Sequence, residues 1–188
     1  MRIISGKFRS KKLLLPDPKI TRPLRDYVKE SIFNLLMHSK LLNFNFNQST
    51  ILDLFSGSGS FGFECISRGS SKVIFIEKEK KILNILYKNI HNLLINEYCI
   101  VINNDVLELN LQKFIKDSIN LLFLDPPFQY NFLNNLFQKL QNNSSLFLKT
   151  LIIIHYENKN RFDFNNYLNI IIKKKYGRSI IIFGTLKY

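Results

Sequence analysis

The chain has no tryptophan, only two cysteines and only seven glycines in 188 residues. Cys65 and Cys99 each sit in an apolar stretch, which reads as two buried free thiols in a reducing compartment rather than a disulfide framework. No Cys/His spacing fits a zinc site, so no metal is expected. His38, His91 and His155 lie far apart with no nucleophile motif around them, and they read as structural or surface groups. The longest apolar runs, such as 146–155, are too short to span a bilayer. The basic N-terminus is followed by no apolar segment of the kind a signal peptide needs. A soluble cytoplasmic monomer, without membrane attachment, is the expectation.

Acidic residues are scarce too. Fourteen Asp/Glu face 27 Lys/Arg, for a net charge of +13. The surplus is uneven: residues 1–29 hold nine Lys/Arg (Arg2, Lys7, Arg9, Lys11, Lys12, Lys19, Arg22, Arg25 and Lys29) against Asp17 and Asp26. Such a patch is the footprint of a phosphate-rich partner. Lys173-Lys174-Lys175 reads instead as a solvated surface.

Nearly half the residues are hydrophobic, and their spacing organises the chain. Residues 2–15 read as a short hairpin turning at Ser5-Gly6, and Pro16, Pro18 and Pro23 impose an extended connection after it. Val28, Ile32, Leu35 and Leu36 share one helical face. Asn-rich 43–49 reads as a linker. Strand and helix then alternate. Apolar runs at 51–55, 73–76, 100–102, 121–124 and 151–154 predict strands. Helices are predicted around Leu83–Leu94 and Phe132–Leu140. β-Branched runs at 169–172 and 179–183 flank Tyr176-Gly177-Arg178, a hairpin pattern. This predicts an α/β Rossmann-like fold: a mainly parallel seven-stranded sheet, an antiparallel C-terminal hairpin, helices on both faces and a small N-terminal β-hairpin. Residues 1–42 form a basic N-terminal segment and 43–188 the main domain.

Gly57-Ser58-Gly59-Ser60-Phe61-Gly62 lies between a strand and a helix. Alone it fits several nucleotide cofactors, or a plain tight turn. Its acidic surroundings separate these. Asp53, Glu77, Asp105 and Asp125 fall at four successive strand ends on one rim, where they would repel an anionic pyrophosphate. S-Adenosyl-L-methionine is cationic at sulfur and at its amino group, and suits the rim. Asp53, Phe55, Ser56, Gly57 and Gly59 would face its methionine end, Glu77 its ribose, and Asp105 with Val106 its adenine.

Asp125-Pro126-Pro127-Phe128 directly follows an apolar strand. An exocyclic amine is a weak nucleophile because its lone pair is delocalised into the ring. The Asp125 carboxylate and Pro126 carbonyl can accept both N–H bonds and aim the lone pair. Pro127 stiffens the turn, and Phe128 offers a stacking face worth roughly 1–3 kcal/mol per base.

The glycine loop and the 125–128 motif together resemble the class I methyltransferases that act on amino nitrogens. Residues 2–13, 22–30, 31–36 and 52–59 narrow the resemblance to the RsmD family, almost end to end. The family usually has Thr or Ser where Leu24 and Arg25 stand, and Arg where Tyr27 stands. The resemblance implies methyl transfer to the N2 amino group of guanine 966 in 16S rRNA of the small ribosomal subunit. Arg2, Lys7, Arg9, Lys11, Lys12 and Arg22 would hold the RNA. Three alternatives stand beside it: an amino-methyltransferase for DNA bases or protein glutamine, a non-catalytic RNA-binding assembly factor, and a nucleotide-dependent oxidoreductase, which the acidic rim disfavours.

Overall fold

A computed structural model describes residues 1–17, 24–126, 130–157 and 162–188. Chain order is α1 (Asp26–His38), β1 (Thr50–Asp53), α2 (Ser60–Ser67), β2 (Lys72–Glu77), α3 (Lys80–Leu93), β3 (Cys99–Asn103), α4 (Leu111–Phe114), β4 (Leu121–Leu124), α5 (Tyr130–Asn142), β5 (Leu151–Glu157), β6 (Leu168–Tyr176) and β7 (Ser179–Leu186). The seven strands form one sheet in the order β3-β2-β1-β4-β5-β7-β6. β1 to β5 are mutually parallel, and β7 runs antiparallel between β5 and β6. The predicted mainly parallel, seven-stranded sheet with a C-terminal hairpin is therefore what the chain forms. No helix among the described residues is long and apolar enough to cross a membrane.

β1 and β4 are buried throughout, which requires cover on both faces and explains their unbroken apolar runs. Alternate residues feed two core layers. Ile51, Phe123, Ile153 and Phe183 meet Val28, Ile32, Phe63 and Leu86 on the face of α1, α2 and α3. Leu52, Leu122, Ile152 and Ile182 meet Leu136 and Phe137 of α5 on the other. Chain direction across the sheet reverses beside β1, whose neighbours are β2 and β4. Connections leave to opposite sides there, and the carboxyl ends of those strands open a crevice. Lys173, Lys174 and Lys175 are exposed on edge strand β6, where charge discourages further strand pairing.

Three local expectations are revised and one element is new. Residues 2–15 form a turn-rich loop closed by one bridge, Arg2 to Lys12, rather than a two-stranded hairpin. Its donors are taken by α2: the N–H groups of Ile4 and Ser5 donate to the Glu64 carboxylate at 2.7 and 3.0 Å, and that of Phe8 donates to Ser67 Oγ at 2.9 Å. Ile3 and Leu13 of this loop are buried in the same core as α1. The 43–49 stretch is packed rather than a loose linker, because Phe46 is buried and stacks on Phe33 at 5.8 Å. Cys99 is only half-buried, although burial still pushes its thiol up to about 12. The short helix α4, capped by Asn110 accepting from the Lys113 N–H, has no apolar periodicity long enough to announce it.

Candidate functional site

A cavity of about 580 Å³ opens at the carboxyl ends of β1, β2 and β4, within the usual range for small-molecule sites. Asp53, Phe55, Ser56, Gly57, Glu77, Asp105, Val106, Asp125 and Pro126 all line it. Nine residues from four strand ends and their loops thus converge on one space. Pro127 and Phe128 lie outside the described residues, as does Arg22.

The glycine loop is shaped by steric need. Gly59 has φ +84°, and a Cβ there would come within 2.5 Å of Leu86 Cδ1 and 2.6 Å of the Phe63 ring. It supports the cavity from beneath rather than lining it. A Cβ on Gly62 would meet the Phe75 ring at 2.3 Å, so this glycine lets α2 lie close on β2. Gly57 is different: nothing stands within 4 Å of its Cβ position. Its surroundings leave room for a ligand. The loop is tied to β2, since Ser56 N–H donates to Ile76 O at 3.1 Å and Gly57 N–H to Glu77 Oε2 at 2.9 Å.

Asp53 is the most telling side chain. It is 1 % exposed, and neither carboxylate oxygen has a hydrogen-bond partner among the described residues. Burial, then the negative charges of Asp125 and Glu77, push its carboxyl well above the usual carboxylate range. The N–H groups of Gly62 and Phe55 pull the other way but fall short of hydrogen-bond geometry. A buried carboxylate without donors is costly unless a cation joins it. The donor set, acidic with an open glycine wall, fits the cationic S-adenosyl-L-methionine.

Glu77 and Asp105 are already oriented by the backbone. Glu77 Oε1 accepts from Glu79 N–H at 2.9 Å, so each of its oxygens holds one loop N–H and keeps lone pairs to spare. Asp105 Oδ1 accepts from Leu107 N–H at 2.9 Å, and Oδ2 from Lys78 Nζ at 3.2 Å. Glu79 is exposed and lines the cavity as well.

Several contributors carried no sequence signal. Phe132 of α5 lines the mouth and meets Phe55 edge-on at 5.7 Å. Leu24 lines it too. Lys29 is buried, with Nζ donating to Arg2 O at 3.1 Å. Desolvation lowers its pKa, and the nearby Glu64 and Asp26 charges oppose that shift. His155 Nδ1 lies 2.8 Å from Asp125 Oδ1, and Nε2 lies 2.9 Å from Ser179 Oγ. Reading His155 as a merely structural or surface group misses this pairing, which spans thirty residues of chain.

Arg2, Lys7, Arg9, Lys11 and Lys12 are all exposed on the N-terminal loop. Arg2 and Arg9 border a second cavity of about 290 Å³ together with Asp26 and Glu30. Among the described residues no cluster of His, Cys, Asp and Glu could hold a metal ion.

The sequence pattern of the family described as "Conserved hypothetical protein 95" matches residues 1–185. The Haemophilus influenzae protein named "Ribosomal RNA small subunit methyltransferase D" is 38% identical over 158 residues, covering 84% of this chain and 79% of that one. The protein of the same name from Escherichia coli K12 is 32% identical over 160 residues, covering 85% and 76%. A solved Escherichia coli structure, yhhF, assigned provisionally as a methyltransferase, superposes with a TM-score of 0.79 at 26% identity, covering 100% of this chain and 98% of that one. With its sheet order and its glycine loop in place, this chain belongs to the RsmD family, the Conserved hypothetical protein 95 family.

Proposed function

We propose that this protein transfers a methyl group from S-adenosyl-L-methionine to the N2 amino group of a guanine in small-subunit ribosomal RNA, guanine 966 of 16S rRNA. The observation that carries the reading is that Asp53, buried with neither oxygen hydrogen-bonded among the described residues, shares one cavity with Asp125 and Pro126. One carboxylate calls for a cation inside, and the other stands ready for an amine. The names of the relatives, which refer to ribosomal RNA, support the substrate class.

Asp53 and the Ser56–Gly59 loop would hold the methionine end of the cofactor, Glu77 the ribose, and Asp105 with the Val106 N–H the adenine. The bound cofactor supplies a methyl group made electrophilic by its positive sulfur. Asp125 and the Pro126 carbonyl accept the two N–H bonds of the guanine amine, restrain its rotation and turn its lone pair toward the methyl donor. As nitrogen gains positive charge, the fixed carboxylate of Asp125 stabilises it, a preorganised electrostatic effect. The proton then leaves to Asp125 or to water. Phe55 and Phe132 narrow the mouth, and Phe128 provides the stacking face for the base. A paired guanine cannot present N2 in this way, so the target is unpaired or flipped out. The exposed basic loop, with Arg22, holds the flanking phosphates, and the protein acts as a monomer on the small subunit.

The test incubates the protein with labelled S-adenosyl-L-methionine and small subunits lacking the modification, then maps the product by mass spectrometry. Label at one guanine N2 of 16S rRNA is the expected result. Label confined to DNA or protein, or to another RNA atom, overturns the reading.

A further inference from the structure

The sheet places three polar residues of distant sequence side by side. Asp125 follows β4 two residues beyond Phe123, and so lies on the same face. His155 follows Ile153 in the same way on neighbouring β5, and Ser179 precedes Ile181 on β7. Phe123, Ile153 and Ile181 all belong to the α1–α3 core layer. The parallel pairing of β4 with β5 and the antiparallel return of β7 bring the polar ends of this row together at the carboxyl end of β4, where Asp125 lines the cavity. The side chains of His155 and Asp125 are only 13 % and 22 % exposed, so water competes weakly for their contact.

The contacts determine the ring's protonation pattern. An ionised carboxylate only accepts hydrogen bonds, so Nδ1 carries the proton given to Asp125 Oδ1. In the neutral ring Nε2 then accepts, and Ser179 Oγ–H is the donor at 2.9 Å. Both ring nitrogens are held, and the ring cannot turn without breaking two hydrogen bonds. One carboxylate oxygen of Asp125 is thereby fixed, which sets the direction of the other.

We propose that His155, set as its Nδ1–H tautomer by Asp125 and kept from turning by Ser179, is a positioning residue that holds the Asp125 carboxylate in the orientation needed to receive the substrate amine. This rests on the reading of Asp125 as the amine acceptor. His155 acts through Asp125, without touching the reacting atoms.

The test compares wild type with His155→Ala, His155→Asn, Ser179→Ala and Asp125→Ala, each first checked for a cooperative thermal melt. An asparagine amide reaches the place of Nδ1 and can donate to Asp125, but it cannot titrate. Transfer to unmodified small subunits is expected to fall about 10–100-fold in kcat for His155→Ala, as when partners that orient metal ligands are removed. KM for the RNA should change by less than about threefold, since the missing interaction serves the chemical step. His155→Asn should recover most of the rate. Nitrogen-15 spectra of the ligand-free protein should show His155 as the Nδ1–H tautomer in the wild type and in Ser179→Ala alike, since the Asp125 carboxylate sets it. Wild-type kcat in His155→Ala overturns the proposal. So does an Asn variant as slow as the Ala variant, which would mark His155 as a proton carrier, or an Nε2–H tautomer in the wild type. Wild-type turnover in Asp125→Ala, which removes the acceptor, overturns the underlying reading of Asp125 instead, while the tautomer measurement in the wild type still reports on the His155–Asp125 contact.

Discussion

Asn89 and Leu14 exchange a pair of hydrogen bonds: Leu14 N–H donates to Asn89 Oδ1 at 2.8 Å, and Asn89 Nδ2 donates back to Leu14 O at 3.0 Å. The same Nδ2 reaches Ser58 O in the glycine loop at 3.1 Å. One buried amide on α3 thus couples the N-terminal segment to the loop at the cavity.

Asn89→Ala is expected to leave backbone groups of both segments without partners, destabilising the protein by about 1–3 kcal/mol. A drop of ~2–4 °C in melting temperature per kcal/mol follows for a chain of this size. Amide hydrogen exchange gives the local signature. Leu14 should exchange much faster, while Ile74, buried in β2, should lose protection only in proportion to global stability. Unchanged exchange at Leu14 would show that the segment is held by other interactions.

Asp53 sets stability against ligand binding. Its carboxyl is raised in the folded chain, so its contribution to stability is present below the ordinary carboxylate range and lost as pH rises through the folded value. Asp53→Asn should therefore raise the melting temperature of the ligand-free protein, and raise it more at alkaline than at mildly acidic pH. Binding a cation favours the ionised carboxylate, so cofactor affinity in the wild type should climb over the same pH interval. Calorimetric titration across pH checks both the slope and its disappearance in the variant. A variant that binds the cofactor as tightly as wild type removes Asp53 from the site.

Most of the architecture was legible because each parallel strand is a short apolar run stopped by an acidic or glycine-containing end. Leu121 to Leu124 followed by Asp125 is the clearest case, and Ile51 to Asp53 the next. The N-terminal loop was not, because what replaces its hairpin ladder is Glu64, about sixty residues away. Glu64 reads as one more helix carboxylate until α2 is laid against the loop. His155 is a similar case. Its partners Asp125 and Ser179 are fixed by strand order, and no local periodicity encodes that β5 lies between β4 and β7. The acidic rim was legible as a group of strand ends, whereas the lack of a hydrogen-bond partner for Asp53 among the described residues depends on packing around it.

The basic loop offers the last prediction, because its charge and its anchoring can be separated. Lys7, Arg9 and Lys11 are exposed and lie outside the cavity, while Glu64 fixes the loop from below and also pairs with Arg68 at 2.9 Å. Charge removal alters the number of counterions released when RNA binds. Each phosphate that is no longer neutralised should lower the slope of log affinity against log salt by about 0.7–0.9. Lys7→Ala, Arg9→Ala and Lys11→Ala, combined, should thus weaken RNA binding and flatten its salt dependence, with cofactor affinity unchanged. Lys149→Ala provides the comparison. It removes one exposed charge beside the amino end of β5, at the end of the parallel strands opposite the cavity, and should leave the slope as it is. Glu64→Ala removes no cation, and it releases the N–H groups of Ile4 and Ser5. It should weaken binding through disorder of the loop while the slope stays close to wild type. Salt titrations of RNA affinity across these variants decide the matter. Equal slopes for the triple variant and wild type would place the phosphate-binding residues elsewhere on the molecule.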